Sequence, residues 1–157
     1  MAEEPVLLTR AGLQRLEAEL HELKTVRRAE VAAAIREAQE LGPDQLDAQY
    51  EDAKNQQAFL EGRIGEIERQ LENVQIIDES AAAKSKQVQV GSTVTVKNAA
   101  GKSQKYQVVG PAEADPTQGR ISHKSPVGRA LLGKKKGDTV TIKAPAGDVE
   151  LTVTTIA

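Results

Sequence analysis

Two aspartates, Asp44 and Asp47, stand three residues apart in the segment ELGPDQLDAQY at 40–50. Three residues is close to one helical turn, so both carboxylates lie on one side of a helix that begins near Pro43. Carboxylate oxygens suit a Mg²⁺ ion, which takes one or two carboxylates and draws its other ligands from elsewhere. Acids in a first helical turn also complement the helix dipole without binding anything. The spacing alone favours this structural interpretation.

The rest of the chain offers little conventional chemistry. Cysteine is absent from its 157 residues, which excludes disulfides, thiolate nucleophiles and cysteine-bound metals. His21 and His123 are each expected to lie on the surface, and they do not form a pair at metal-binding spacing. No phosphate-binding glycine motif is present. The only aromatic residues are Tyr50, Phe59 and Tyr106, so a base-stacking surface or an aromatic pocket is not expected. The sequence therefore predicts no complete active site and no bound cofactor of its own.

A helical hairpin is predicted to carry the two aspartates. Apolar residues recur at heptad spacing on both sides of Gly42, after a candidate N-cap at Thr9. Gly42 suits the position after a helix and Pro43 the first position of the next one. Two helices of about thirty residues must then fold back antiparallel over roughly 45 Å. A dimeric coiled coil is the alternative, but so short a turn favours an intramolecular hairpin and a monomer.

After the hairpin the spacing of the apolar residues changes from a helical repeat to a period of two residues. Residues 78–87 are small and polar and are predicted to be a linker, which divides the chain into a hairpin domain at 1–77 and a second domain at 88–157. The second domain alternates apolar and polar residues, as strands do, around Val94, Tyr106, Val140 and Leu151. Ser125 and Pro126 have the N-cap and first-position chemistry of a short helix that ends before Gly133. The predicted fold class is an antiparallel coiled-coil hairpin followed by a small α+β domain.

Charge is divided unequally between the two halves. Residues 1–76 hold 9 Lys and Arg against 16 Asp and Glu, whereas residues 77–157 hold 12 against 7. Neither half is basic enough for an autonomous duplex-DNA binder. Lys134, Lys135 and Lys136 form either a solvated loop or a docking face for an acidic partner. No long apolar run or signal-peptide pattern is present, so we expect a cytoplasmic protein without a membrane partner.

Three segments resemble the Gre family of bacterial transcription elongation factors. They are LKTVRRAEVAAAIREAQELG at 23–42, YEDAKNQQAFLEGRIGEIERQLENVQIID at 50–78 and ISHKSPVGRALLGKKKGDTVTI at 121–142. Their order and spacing match the family over essentially the whole chain. The resemblance implies a coiled coil that enters the secondary channel of RNA polymerase, and an FKBP-like domain that sits on the channel rim.

The tip departs from the family pattern. Active Gre factors read GDLxEN there, and the resemblance implies that their Asp and Glu help to hold the second catalytic Mg²⁺ of the polymerase. In this chain Pro43 and Leu46 occupy those two positions. Asp44 and Asp47 each follow one residue later, which turns both acids by about 100° around the helix. We therefore expect a cleavage-deficient factor, like the Gre-factor homologues that inhibit the polymerase; an active cleavage factor that uses Mg²⁺ or Mn²⁺ is the alternative.

Other contacts follow from the same resemblance. Tyr50 and Lys54 match positions near the tip, where the family meets the 3′ end of the nascent RNA, while Gln39 replaces a basic residue. Ser125, Pro126 and Arg129 match the segment expected to contact the polymerase. Two further classes, a peptidyl-prolyl isomerase and a coiled-coil chaperone, are disfavoured because the chain lacks an aromatic pocket and an apolar tip.

Overall fold

The computed structural model describes residues 4–41 and 43–157, without the side chains of 43–47. Its contacts divide the chain into two compact units. The first is Leu13–Asn73, and the second is Val74–Ala157 together with the segment before Leu13. The predicted fold class, a helical hairpin followed by an α+β domain, is confirmed. The domain boundaries at 77 and 88 stay a prediction.

The hairpin consists of three α-helical segments. Helix α1 is Arg10–Glu22, α2 is Arg28–Glu40 and α3 is Pro43–Leu71. The heptad positions form its interface, with the buried apolar side chains of Leu16, Val31, Ala38, Ala53, Leu60, Ile64 and Ile67. The helical periodicity thus predicted both the helices and the seam between them.

A π-helical turn, Leu23–Arg27, joins α1 to α2 and was not predicted. The backbone N–H of Arg28 donates to the carbonyl of Leu23, and the Thr25 hydroxyl donates to the carbonyl of His21 at 2.7 Å. Leu23 and Val31 are eight residues apart, nearly one more than two α-helical turns of about 3.6 residues. The wider turn absorbs the extra residue, so both side chains pack in the cluster with Leu60.

The second unit is built on a five-stranded sheet. Its strands are β3 (Thr93–Asn98), β4 (Ser103–Val109), β5 (Arg120–Ser122), β6 (Thr139–Ile142) and β7 (Val149–Ile156), in the order β5-β4-β3-β7-β6. Within this sheet β4 and β5 pair in parallel, and the other neighbouring strands pair antiparallel. Alternate residues such as Val94, Val96, Val108 and Val153 are buried, and helix α5 (Pro126–Leu131) adds Leu131 to the same core. The four strands with period-two patterns were predicted; β5 was not.

A second, two-stranded sheet joins distant segments of this unit. Strand β1 (Val6–Leu8) pairs in parallel with β2 (Val74–Ile76), in register from Val6 and Val74. The backbone N–H of Ile77 extends the ladder by donating to the carbonyl of Leu8 at 2.8 Å. The hairpin domain predicted at 1–77 includes both segments, whereas the structure pairs them within the second unit. Each strand has only three residues, too few for a period-two pattern to be recognised.

The segment predicted as a linker, 78–87, contains helix α4 (Glu79–Lys84). Asp78 caps it by accepting a hydrogen bond from the backbone N–H of Ala81 at 3.0 Å. Ala82 is fully buried. A six-residue helix is far below the length that is stable alone, so tertiary burial of Ala82, which composition does not reveal, stabilises this one.

A buried carboxylate holds the start of α1. Glu113, which lies in a 3₁₀ turn (Pro111–Glu113), accepts hydrogen bonds from the backbone N–H of Thr9 at 3.0 Å and from its hydroxyl. The same hydroxyl accepts from the backbone N–H of Gly12 at 3.0 Å. Thr9 is therefore the N-cap that the sequence predicted. A Cβ at position 12 would overlap the Glu113 carboxyl group, so a residue larger than Gly12 would displace that carboxylate.

We expect Gly12→Ala to destabilise this unit. Alanine improves helix propensity by at most about 1 kcal/mol. Displacing the Glu113 carboxylate, however, leaves buried polar groups without hydrogen-bond partners, which costs about 1–3 kcal/mol of stability. The free energy of unfolding in urea should fall by about 1–2 kcal/mol. The control is Gly62→Ala, because a new Cβ there meets nothing within 4 Å. Gly101→Ala is unsuitable as a control, because Gly101 has a positive φ of 84° that alanine would adopt only under strain. Unchanged stability of Gly12→Ala would contradict the assignment.

Candidate functional site

The tip of the hairpin connects two helices by two residues. Helix α2 ends at Glu40, and Pro43 opens α3 at the first position, as predicted. The backbone of Pro43, Asp44, Leu46 and Asp47 belongs to the start of α3. Their side chains lie outside the described residues, so the orientation of the two acids stays a prediction.

The next turns of α3 carry Tyr50 and Lys54. These residues are four apart, which places them on one side of the helix. Tyr50 is half-buried and Lys54 is exposed. The Lys54 ammonium donates to the side-chain oxygen of Gln57 at 3.0 Å. Both groups of this hydrogen bond belong to α3, and the Lys54 side chain remains exposed to solvent.

Two alanines fill the interface near the tip. Ala38 on α2 is 2% exposed and Ala53 on α3 is 3% exposed. Small side chains at a helix contact allow the shorter interaxial distances. The two helices therefore pack through small side chains in this part of the hairpin.

Ion pairs across the hairpin use residues of the quoted motifs. Arg28 of the VRR motif donates to both Glu61 oxygens, at 2.8 and 3.1 Å. Arg63, two residues beyond Glu61, donates to both Glu19 oxygens, at 2.8 and 3.0 Å. The motifs that carry the family resemblance do not by themselves predict these pairings. Opposite charges at matching heights of two antiparallel helices were the available signal.

These pairs affect the titration of Glu61. The hydrogen bond from Arg28 holds the pKa of the Glu61 carboxyl below its ordinary value of 4.5. The contribution of the Arg28–Glu61 pair to stability is therefore fully present above the ordinary pKa of Glu61, and it is lost as the pH falls through the lowered pKa. Both side chains are nearly half exposed, and surface pairs of this kind contribute little energy. Their bidentate geometry mainly fixes the register of the two helices.

Helix α5 supplies the second group of predicted site residues. The Ser125 hydroxyl accepts from the backbone N–H of Gly128 at 3.1 Å and donates to the carbonyl of Ser122 at 2.7 Å. Ser125 is thus an N-cap, as predicted, with its hydroxyl engaged inside the domain. Gly128 is buried against the Ser122 carbonyl group, which leaves no room for a side chain.

The outer face of α5 presents Pro126 and Arg129. Both are exposed, whereas Leu131 is fully buried and Val127 packs against the core from a half-buried position. Arg129 has no ion-pair partner among the described residues. The apolar residues of this segment therefore serve the domain core, and a guanidinium beside a proline forms the surface that a partner can contact.

No described residues form a group of three or more His, Cys, Asp or Glu side chains able to hold a metal ion. The side chains of Asp44 and Asp47 lie outside these described residues. Within the same described residues, no helix is long and apolar enough to cross a membrane.

Comparison with known proteins identifies the family. The model described as "Transcription elongation factor, N-terminal" matches residues 6–76, and "Transcription elongation factor, GreA/GreB, C-term" matches residues 83–157. The chain belongs to the GreA/GreB family of transcription elongation factors. The predicted resemblance is confirmed, and the family assignment covers both the hairpin and the β-rich domain.

Several relatives match the chain over nearly its whole length. Transcription elongation factor GreA of Thermoanaerobacter pseudethanolicus is 48% identical over 95% of this chain and 95% of its own. Transcription elongation factor GreA of Chloroflexus aggregans is 48% identical over 98% of each. Among solved structures, GreA factor homolog 1 of Thermus thermophilus is 34% identical, covers 98% of this chain and 99% of its own, and has a TM-score of 0.45.

Proposed function

We propose that this GreA/GreB-family chain binds the RNA polymerase core and inserts its hairpin tip into the secondary channel. The observation that carries the proposal is the helical hairpin, in which α2 and the 29-residue α3 are joined by two residues beside the acidic tip sequence. Tyr50 and Lys54 then meet the 3′ end of the nascent RNA, and Ser125, Pro126 and Arg129 form the contact with the channel rim. RNA polymerase acts in the bacterial cytoplasm, so the chain works there, and the two-residue connection between α2 and α3 of one chain favours a monomer.

The tip sequence supports a factor that stimulates transcript cleavage weakly or not at all. Pro43 and Leu46 supply no oxygen ligand where the family has acids. A shift of one residue along an ideal helix would turn Asp44 and Asp47 by about 100° from those two positions. Catalytic metal sites require ligands held within a fraction of an ångström. In this proposal the tip occupies the channel and slows or pauses the polymerase.

The alternative is a cleavage-stimulating factor of the GreA type. The names of the relatives, at 48% identity over nearly full length, favour it at least as strongly as the tip sequence favours inhibition. In this alternative Asp44 and Asp47 deliver oxygen ligands to a Mg²⁺ or Mn²⁺ ion shared with the polymerase. In both cases the bond-breaking groups belong to the polymerase, and the chain is not an independent enzyme.

Charge reversal at Arg129 tests docking. We expect Arg129→Glu to weaken binding to core polymerase about tenfold or more, because a docking cation becomes an anion. The unfolding midpoint should be unchanged, since Arg129 is exposed and unpaired among the described residues. Lys143→Glu, at another exposed position of the same domain, is the control. Equal binding by native protein and Arg129→Glu in a biolayer assay would contradict the α5 docking surface.

A further inference from the structure

A second basic surface lies in the β-rich domain, and neither the tip nor α5 includes it. Lys135 and Lys136 follow α5, and Lys86 follows α4. An antiparallel bridge between Gln87 and Lys135 brings the two segments together. We call Lys86, Lys135 and Lys136 the lysine patch.

The backbone fixes the lysine patch in place. The N–H of Val88 donates to the carbonyl of Lys134 at 2.8 Å, and the N–H of Gly133 donates to the carbonyl of Val88 at 2.8 Å. The N–H of Lys135 donates to the carboxylate of Asp138 at 2.9 Å. The ammonium groups therefore extend from a hydrogen-bonded platform and not from a free loop.

The ammonium groups themselves are uncommitted. Lys86, Lys135 and Lys136 are exposed, and none has an ion-pair partner among the residues that the structure describes. Asp138 is the nearby acid, and its carboxylate already accepts the backbone N–H of Lys135. Three like charges on adjoining segments repel one another, so the patch has a net attraction for an anionic partner.

A shallow depression with an apolar wall separates this patch from a plain charged surface. Its volume is about 350 Å³, and Ser85, Lys86, Lys135, Lys136 and Ile156 line it. Ile156 is half-buried and packs on the domain core. A nucleic-acid backbone gains nothing from an isoleucine, and the depression offers no aromatic ring for base stacking. A protein segment with acidic residues beside an aliphatic one satisfies both the charges and the wall.

We infer that the lysine patch binds an acidic, partly aliphatic segment of the polymerase, separately from the α5 surface. This inference rests on the proposed function. Charge complementarity of this kind raises association rates and makes them sensitive to salt. The patch therefore adds an electrostatic contact in the domain that α5 also uses, and it contributes most at low ionic strength.

The test compares two triple charge reversals in the full chain. Lys86→Glu, Lys135→Glu and Lys136→Glu together should weaken binding to nucleic-acid-free core polymerase about tenfold or more at low salt, and should flatten the salt dependence. The matched control reverses Lys97, Lys102 and Lys105, which are also exposed and lie outside the depression that the lysine patch lines. Circular dichroism melting of each variant checks that its domain remains folded.

Each outcome is decisive. Weaker binding by the patch variant alone supports the inference. Equal binding by native protein and patch variant, or equal weakening by both variants, overturns it while leaving the proposed function intact. A defect that appears only when the polymerase carries RNA identifies RNA as the occupant and also overturns it. Failure of native protein to bind polymerase overturns the proposed function and this inference together.

Discussion

Replacing Pro43 by Asp and Leu46 by Glu should raise transcript cleavage by about a hundredfold or more. Each oxygen ligand restored at a preorganised catalytic site contributes about two orders of magnitude. The change restores acids at both positions where the family has them. It should not disturb the hairpin, because an acid in the first helical turn is favoured by the helix dipole. The measurement is the rate of RNA shortening in stalled, backtracked elongation complexes.

A neutral pair of substitutions provides the control for this prediction. Pro43→Asn with Leu46→Gln has nearly the same size and removes the same proline and leucine, but it adds no charge. We expect it to leave cleavage near the native rate. If the acidic variant binds polymerase as native protein does and still fails to exceed the amide variant, the tip positions do not limit cleavage.

The largest effect on stability is expected from Gly128→Ala. A Cβ at this position would overlap the carbonyl oxygen of Ser122 and lie 2.9 Å from its carbonyl carbon. Both atoms belong to the backbone, so a change of rotamer cannot relieve the clash. Relief requires α5 to move, which withdraws Leu131 from the core and breaks the Ser125 cap. We expect the free energy of unfolding to fall by about 3 kcal/mol.

Urea denaturation measures this loss, with Gly62→Ala as the comparison. Gly62 lies in the interior of α3, and a Cβ there meets nothing within 4 Å. Alanine at that position should raise stability by about 0.5–1 kcal/mol through helix propensity. A stability of Gly128→Ala within 0.5 kcal/mol of native would contradict the close packing of α5 on Ser122.

The parts of the fold with long periodic patterns were predictable. Helix α3 has 29 residues, and its buried Leu60, Ile64 and Ile67 follow the heptad spacing. The strand containing Val94 and Val96 likewise follows an alternating pattern. In both cases one buried face dictates the residue types over several turns or steps, and this repetition makes the signal readable from one sequence.

The parts that depend on distant contacts were not predictable. Strand β1 pairs with β2 across more than sixty residues, and each has only three. Helix α4 exists because Ala82 is buried, and the π turn exists because Leu23 and Val31 must both face α3. None of these requirements repeats along the sequence. They become visible only when the packed partner is known.

The candidate site divides in the same way. Local chemistry predicted Ser125 as an N-cap and Pro43 as the first residue of α3, and the structure has both. The pairing of Arg28 with Glu61 joins the two sides of the hairpin, so it could not be assigned from either segment alone. Whether Asp44 and Asp47 act on a metal depends on atoms that the polymerase supplies, which this chain's sequence does not encode.

Cleavage by the native chain is the decisive measurement for the tip. The assay follows RNA shortening in backtracked complexes with native protein and with Asp44→Ala plus Asp47→Ala, each in Mg²⁺ and in Mn²⁺. We expect weak or no native cleavage in both ions and no further loss in the double variant. Strong native cleavage that disappears in the double variant would contradict it and make Asp44 and Asp47 the working acid pair of a cleavage factor.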